Sequence, residues 1–167
     1  MPRQIIKTGG VAENRKARFE YSIEDTIEAG IALTGAEVKS LRYGMVNITD
    51  AFVQTSGPNA RRKLTSGNDI NLVISNMVIM ALPTANKTVY FDERRGRQLL
   101  LHRNQINRLA GKLNEKGATI VPLKIYFNNR GRLKVLLGVG FGKKMHDKRE
   151  TIKRREDART IARAMKK

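Results

Sequence analysis

The stretch from Thr119 to Phe141 constrains the fold most, because it has the pattern of two long strands joined by a tight turn. It reads TIVPLKIYF, then NNRGR, then LKVLLGVGF. Alternate residues share one face of a strand, so one face of this hairpin is predicted to be apolar. That face carries Val121, Leu123, Ile125, Phe127, Leu133, Val135, Leu137, Val139 and Phe141. Such a hairpin needs further strands or a helix to cover its apolar face.

The outward face of the same hairpin is basic and aromatic. It carries Lys124, Tyr126, Arg132 and Lys134. Lysines can meet phosphates while an aromatic ring stacks on a base, so this face is a candidate nucleic-acid surface; an ordinary solvated strand face is the alternative. Gly138 and Gly140 also point outward, and we expect them to let another backbone approach.

Shorter elements are predicted on the N-terminal side of the hairpin. RFEYSI alternates from Arg18 and predicts a half-buried strand that continues through TIEAGIAL, with Gly30 as a bulge or a point of close approach. Thr34 is placed to cap a short helix that ends near Gly44. INLVISNMVIMAL predicts a buried strand pair or one bent strand.

A longer helix is predicted within LLLHRNQINRLAGKLNEKG. Its apolar side would contain Leu99, His102, Ile106, Leu109 and Leu113, which recur at helical spacing. Several short strands with one or two helices predict a mainly β fold, specifically a closed antiparallel β-barrel of oligonucleotide-binding type. We expect a flexible leader over residues 1–13, the barrel domain over 14–142 and a basic tail over 143–167.

Charge points to a polyanionic partner. The 167 residues include 33 Lys or Arg and 15 Asp or Glu, which gives a net charge of +18. Eleven of the bases and four of the acids lie in the tail, so the tail carries +7 and the remainder +11. Two loops, NARRK and ERRGR, add to the basic surface. Together these features favour nucleic acid over a membrane surface, for which no lipidation motif or apolar basic helix is visible.

Enzymatic and metal sites have little support in the sequence. The chain has no Cys, which rules out disulfides and thiolate metal sites, and its only histidines are His102 and His146. His102 fits a packed or capping residue better than a catalytic one. Glu28 and Asp50 could hold a metal, and with His102 they define a nuclease alternative, but such carboxylates more often cap turns or pair with Arg. We expect no cofactor, no metal and a soluble cytoplasmic protein.

The tail has helical features without a large apolar face. Glu150 can pair with Arg154, and Ala158, Ile161, Ala162 and Met165 form one narrow stripe. A helix this short and this charged is marginal in water. We therefore predict that the tail is disordered when free and becomes helical when a polyanion neutralises it.

Three long blocks, in this order along the chain, resemble the SsrA-binding protein family, also called small protein B. They are ENRKARFEYSIEDTIEAGIALTGAEVKSLRYGMVNITDAFV, RQLLLHRNQINRLAGKLNEKGATIVPLKIYF and GKKMHDKRETIKRRE. The resemblance implies an RNA-binding adaptor that grips the tRNA-like part of transfer-messenger RNA and delivers it to stalled ribosomes. It also implies a monomer bound one-to-one with the RNA, no enzymatic activity, and a tail acting in the decoding centre and message channel. A basic ribosomal or general nucleic-acid-binding protein is the alternative.

The resemblance also assigns residues. Its RNA contacts fall on Asn14, Glu28, Leu100 and His102, and relatives often have Asn at the last position. Its tail residues are Gly142, Lys143, Lys144, His146, Asp147, Lys148, Arg149, Ile152, Lys153, Arg154 and Arg155. Two departures stand out: the loop over 55–69 is longer and more basic than is typical, and Glu93 stands where relatives usually have proline.

Overall fold

The computed structural model describes residues 5–56, 70–82 and 91–144, together with positions 149, 153, 156, 157, 160 and 165. The described ranges contain a predominance of strands and a few short helices, which confirms the mainly β prediction. In chain order the elements are β1 Gly9–Glu13, α1 Arg15–Glu20, β2 Tyr21–Ile31, α2 Gly35–Arg42, β3 Val46–Asn47, β4 Phe52–Ser56, β5 Asn71–Ser75, β6 Val78–Ile79, β7 Arg97–Leu100, α3 Arg103–Leu113, β8 Ala118–Phe127 and β9 Leu133–Gly142.

Seven of these strands form one antiparallel sheet in the order β1-β8-β9-β2-β7-β5-β4, and β3 pairs with β6 separately. Strand β4 packs against β8, which draws the far end of the sheet toward its beginning. Within the described residues no hydrogen-bonded ladder joins the edge strands β1 and β4. The described sheet is therefore antiparallel and strongly bent, but without the ladder that would close it.

The long hairpin is confirmed as β8 and β9, with a correction to the facing of two residues. A register shift between Pro122 and Lys124 marks a bulge, which changes the side to which the strand presents its residues. Val121 and Leu123 consequently pack in a small cluster with Ala17, separate from the main core. The main core does contain Ile125, Phe127, Leu133, Val135, Leu137 and Val139.

The two outward glycines of β9 differ in what they accommodate. A Cβ at Gly140 would lie 2.2 Å from the carbonyl oxygen of Ser22, so a neighbouring backbone approaches there as predicted. A Cβ at Gly138 would instead lie 2.9 Å from Leu123 Cδ1. Gly138 therefore makes room for a side chain that the bulge has turned outward.

The N-terminal part of the domain departs from prediction in two places. Residues 9–13, expected in a flexible leader, form β1 and pair with β8. Residues from Arg18 to Glu20, expected as strand, belong to helix α1, and β2 begins at Tyr21. Asn14 explains this start, because its side-chain oxygen accepts a hydrogen bond from Ala17 N at 2.9 Å and caps the helix.

Helix α2 forms as predicted, with a capping box between Thr34 and Glu37. The predicted helix over residues 99–113 is correct only from Arg103 onward. Leu99 and Leu100 are strand residues, because β7 pairs with both β2 and β5. Leu99 is buried in the core and Leu100 points outward, which is strand alternation rather than helical periodicity.

Candidate nucleic-acid interface

An open groove of about 840 Å³ runs across the outward face of the sheet beside the start of α3. We call it the outer groove. It is lined by Glu28, Gly30, Asn71, Gln98, Leu99, Leu100, Leu101, His102, Arg103, Gln105, Ile106 and Lys134. Glu28, Leu100, His102 and Lys134 were all predicted as RNA-contacting residues, and the fold brings these four into one groove.

Strand register explains why these distant residues meet. Gly30 on β2 pairs with Leu100 on one side and with Lys134 on the other. Lys134 in turn pairs with Tyr126 on β8. The row therefore crosses four adjacent strands, and its side chains project from the same face. A Cβ at Gly30 would lie 3.2 Å from Leu100 Cβ, so glycine keeps the floor between the two strands open.

Glu28 is held from both sides. Lys134 Nζ lies 3.0 Å from Glu28 Oε1, and the Tyr126 hydroxyl donates a hydrogen bond to Glu28 Oε2. The hydrogen bond from Tyr126, followed by that from Lys134, keeps the pKa of Glu28 below its ordinary value. The same hydrogen bond raises the pKa of Tyr126 to about 12. Glu28 is thus an oriented, ionised acceptor at neutral pH, with lone pairs left for a ligand.

Leu100 and His102 form the opposite wall of the outer groove. The Leu100 side chain is 55% exposed, unusual for a large apolar residue, so it offers an apolar platform to a ligand. His102 is exposed at the N-cap position of α3, where Gln105 Oε1 accepts a hydrogen bond from His102 N at 3.0 Å. His102 therefore occupies the N-cap position through its backbone, and the residue lines the groove.

Lys124 and Arg132 lie beside the outer groove rather than in its lining. The ammonium of Lys124 lies 6.0 Å from the centre of the Tyr126 ring. Arg132 lines a neighbouring groove on the other side of Leu100, together with Leu33, Val38 and Lys134. Leu100 and Lys134 line both grooves, so the two grooves are adjacent. The basic outward face of the hairpin therefore lies next to Glu28.

Asn14 is not in this interface. Its residue is only 2% exposed, and its side chain is used inside the protein. Besides capping α1, Asn14 Nδ2 donates to the carbonyl oxygens of Ile48 at 2.9 Å and Thr49 at 3.1 Å. The RNA contact at Asn14 stays a prediction, but the buried side chain borders a separate pocket rather than the outer groove.

The tail leaves the domain at the far end of β9. Lys143 N donates to Glu20 O at 2.8 Å and its ammonium to Arg18 O at 3.2 Å, so the first tail residue is fixed to α1. Eight residue steps separate Lys134 from Gly142, which corresponds to about 27 Å along an extended strand. Lys144 is described and exposed. The start of the tail is thus well separated from the outer groove.

Only part of the tail prediction falls on described residues. Arg149 and Lys153 are described as helical and exposed. The predictions for His146, Asp147, Lys148, Ile152, Arg154 and Arg155 lie outside the described residues.

The nuclease alternative would require Glu28, His102 and Asp50 at one place. Asp50 instead accepts a hydrogen bond from Lys16 Nζ at 2.9 Å and lines a different pocket, which contains Asn14 and Glu20. Across the described ranges, no group of three His, Asp or Glu side chains is arranged to hold a metal ion. Nor does any helix there have the length and apolar character needed to cross a membrane.

The sequence did not lead us to predict two groups of interacting side chains in and around the outer groove. Asn71 and Gln98 lie in the groove and hydrogen-bond to each other, Gln98 Nε2 donating to Asn71 Oδ1 at 3.2 Å. The sequence shows strand alternation once the segment is treated as a strand: Arg97 and Leu99 point inward, and Gln98 and Leu100 point outward. Assigning this segment to a helix concealed it.

The second group is a buried ion-pair network under β7. Arg97 is fully buried, and its Nε donates to Glu37 Oε1 at 2.8 Å. Arg95 donates to both oxygens of the same carboxylate. Arg97 also donates to the carbonyl oxygens of Met77, Glu93 and Arg95. Glu93 itself fixes the segment further, because its Oε1 accepts from Ala81 N at 3.1 Å.

Comparison with known proteins gives one consistent result. The family model described as "SmpB protein" matches residues 11–167. An SsrA-binding protein of Methylorubrum populi is 52% identical over 156 residues, which are 93% of this chain and 91% of that protein. One of Nitrobacter winogradskyi is 47% identical with the same coverage. A solved structure described as "tmRNA-SmpB: a journey to the center of the bacterial ribosome" is 45% identical, covers 83% of this chain and 86% of its own, and superposes with a TM-score of 0.61.

Proposed function

Because this chain belongs to the SmpB family, we propose that it is the RNA-binding adaptor of trans-translation. It binds transfer-messenger RNA and carries it to stalled ribosomes for rescue and peptide tagging, as the names of its relatives and its structural neighbour support. The observation that carries the assignment to the outer groove is that Glu28, Leu100 and His102 converge there although they come from separate parts of the chain.

The body is proposed to grip the tRNA-like domain through the outer groove. Lys134, with Lys124 and Arg132 beside it, supplies cations to the phosphate backbone. Glu28 accepts hydrogen bonds from a base edge or a ribose hydroxyl, which a phosphate contact cannot imitate. Leu100 packs against an unstacked base or ribose, Tyr126 keeps Glu28 in place, and His102 adds a hydrogen-bonding group at the rim.

Asn14 is assigned a positioning role in this scheme. It holds the 48–49 segment against the start of α1, so its substitution acts on RNA binding through the fold. The body is proposed to complete an oligonucleotide-binding-type barrel, which the packing of β4 against β8 supports. The protein is proposed to act as a cytoplasmic monomer, one copy per RNA, and not as an enzyme.

The tail is proposed to be a second functional part that is helical in the decoding centre and message channel, a form that the helical backbone at positions 149, 153, 156, 157 and 160 supports, and to lose this order when free. Its charge of +7 suits ribosomal RNA, and the separation of about 27 Å from the outer groove lets the two parts bind different RNA at once.

Substitution of Glu28 tests the groove. Removing a negative charge from a protein of net charge +18 should strengthen any purely electrostatic binding. We expect Glu28→Gln to weaken binding to the tRNA-like domain instead, because a specific acceptor is lost. Glu24→Gln removes the same charge from an exposed position of the same strand, outside the groove, and should not weaken binding. Equal behaviour of the two variants would contradict the assignment.

Truncation tests the two-part scheme. A chain lacking residues 143–167 should still bind transfer-messenger RNA in a gel-shift assay but fail to support peptide tagging in a reconstituted translation reaction. Sequencing the RNA that co-purifies with the full chain distinguishes the adaptor from a general nucleic-acid-binding protein. A general binder would show no enrichment of transfer-messenger RNA and would lose nearly all affinity as salt is raised.

A further inference from the structure

The outer groove contains a neutral amide pair among its charged residues. Asn71 is the first residue of β5 and Gln98 lies on the neighbouring strand β7. Both are exposed on the outward face, and Gln98 Nε2 donates to Asn71 Oδ1 at 3.2 Å. We propose that this pair is a base-reading subsite that takes the edge of one unstacked nucleobase of the bound RNA. The proposal rests on the proposed function and adds a specificity-determining element to it.

The hydrogen-bonding capacity left on the pair suits a base better than a phosphate. Within the described residues, the two side chains make only their mutual hydrogen bond. Gln98 therefore keeps its carbonyl oxygen and one N–H, and Asn71 keeps both N–H groups. A phosphate oxygen can use only donors, and Lys134, elsewhere in the same groove, already supplies a stronger one. A mixed set of donors and acceptors matches the edge of a nucleobase.

The surroundings of the pair are arranged to hold a base. Leu100 lies two residues after Gln98 on the same face of β7, about 6.6 Å further along the strand, so one base can contact both side chains. Glycine at position 30 leaves the space beside Leu100 open. Arg103 Nη1 donates to the carbonyl oxygen of Ile70 at 3.2 Å, which ties the start of α3 to the residue preceding Asn71. The amides are therefore fixed relative to the platform.

The test uses the full chain and the tRNA-like domain of transfer-messenger RNA, with fluorescence anisotropy at several salt concentrations. A good bidentate contact to a base is worth about 5- to 150-fold in discrimination, so we expect Gln98→Leu to weaken binding within that range. The slope of log K against log salt should not change, because no phosphate contact is lost. Lys134→Gln should reduce that slope by about one unit.

Gln54→Leu is the matched control. Gln54 is an exposed amide on the same face, one strand beyond β5, where it pairs with Val73 and lies outside the outer groove. This variant should bind the RNA within twofold of the wild-type affinity. That result would show that replacing an exposed amide on this face by leucine does not by itself weaken binding. A loss equal to that of Gln98→Leu would overturn the subsite.

Abasic substitution of each unpaired nucleotide in the RNA identifies the base. One abasic site should weaken wild-type binding and have no effect on the Gln98→Leu variant. The proposal is overturned if Gln98→Leu binds normally, if its salt slope falls like that of Lys134→Gln, or if no nucleotide couples to it. Failure of the proposed function gives a different result, since the wild-type chain would then not distinguish the tRNA-like domain from a scrambled RNA of equal length.

Discussion

Substitution of Glu37 by glutamine should destabilise the domain strongly, although it changes only one functional group. Glu37 is 2% exposed and is the anionic partner of Arg97, which has no exposed surface, and of Arg95. The substitution keeps the size of the side chain and removes its charge. Arg97 then remains as a buried cation whose other partners are carbonyl oxygens.

The size of the effect follows from that burial. Removing one partner of a buried ion pair costs about 3–5 kcal/mol, because the remaining charge is left uncompensated. For a chain of 150–250 residues, each 1 kcal/mol lowers Tm by about 2–4 °C, so we expect Tm to fall by about 6–20 °C. Because the network anchors β7, the same variant should also loosen the strand that carries Gln98 and Leu100.

The measurement is urea and thermal unfolding followed by circular dichroism. Asp25→Asn is the control, since it breaks the exposed pair between Asp25 and Arg108, whose O–N distance is 2.6 Å. An exposed pair contributes about 0.2–1 kcal/mol, so this variant should unfold close to the wild-type midpoint. If Glu37→Gln lost less than about 1 kcal/mol, the view that burial makes this pair indispensable would be refuted.

The pH dependence of the same pair has a defined sign. Burial raises the pKa of Glu37, but hydrogen bonds from Arg95, from Thr34 N and from Arg97 outweigh it, and the pKa lies below its ordinary 4.5. A carboxyl whose pKa is lower in the folded state stabilises the fold above its unfolded pKa. That contribution disappears as pH falls below 4.5 through the folded value. Stability of Glu37→Gln should therefore fall less steeply with acid than that of the wild-type chain.

Three other predictions concern separate parts of the structure. Asn14→Ala should lower the free energy of unfolding in urea by about 2–4 kcal/mol, because a helix cap and two buried hydrogen bonds are lost. The RNA affinity of the folded variant should stay near that of the wild-type chain. A large loss of affinity in the fully folded variant would restore Asn14 as an RNA contact. Tyr126→Phe should raise the pKa of Glu28 in a carboxyl NMR titration, and an unchanged pKa would contradict the hydrogen bond between them. Gly140→Ala should destabilise the fold by about 3 kcal/mol or more, because its Cβ would overlap a backbone carbonyl. Gly111→Ala on α3 should stabilise the fold by up to about 1 kcal/mol, because the space around Gly111 is open. Similar unfolding midpoints for the two variants would contradict this difference.

Local patterns predicted the elements whose geometry is determined by near neighbours. The hairpin of β8 and β9 and the Thr34 cap of α2 depend on residues within a few positions, and both were predicted correctly, apart from the facing of Val121 and Leu123 before the bulge. The run Leu99–Leu101 fits a helix as well as a strand, and its pairing with Gly30 and Ile31 decides between them. That pairing joins residues about seventy positions apart, which no local period reveals.

The sequence identified which residues form the candidate site better than it identified what each residue does there. Glu28, Leu100 and His102 were assigned through resemblance and do meet in one groove. The same resemblance assigned Asn14, whose role depends on carbonyl groups of Ile48 and Thr49, 34 and 35 positions away. The sequence contains an Asn before a helix, which indicates a cap, but burial of that cap is a property of the folded chain.

The position of β9 connects the two proposed functional parts. This strand is hydrogen-bonded along both edges, to β8 and to β2, so its length cannot vary by sliding or stretching. Lys134 at one end belongs to the outer groove, and Gly142 at the other end leads into the tail. A separation of about 27 Å is therefore built into the fold. RNA held in the groove and the first tail residues, Lys143 and Lys144, are therefore expected to keep a fixed spacing.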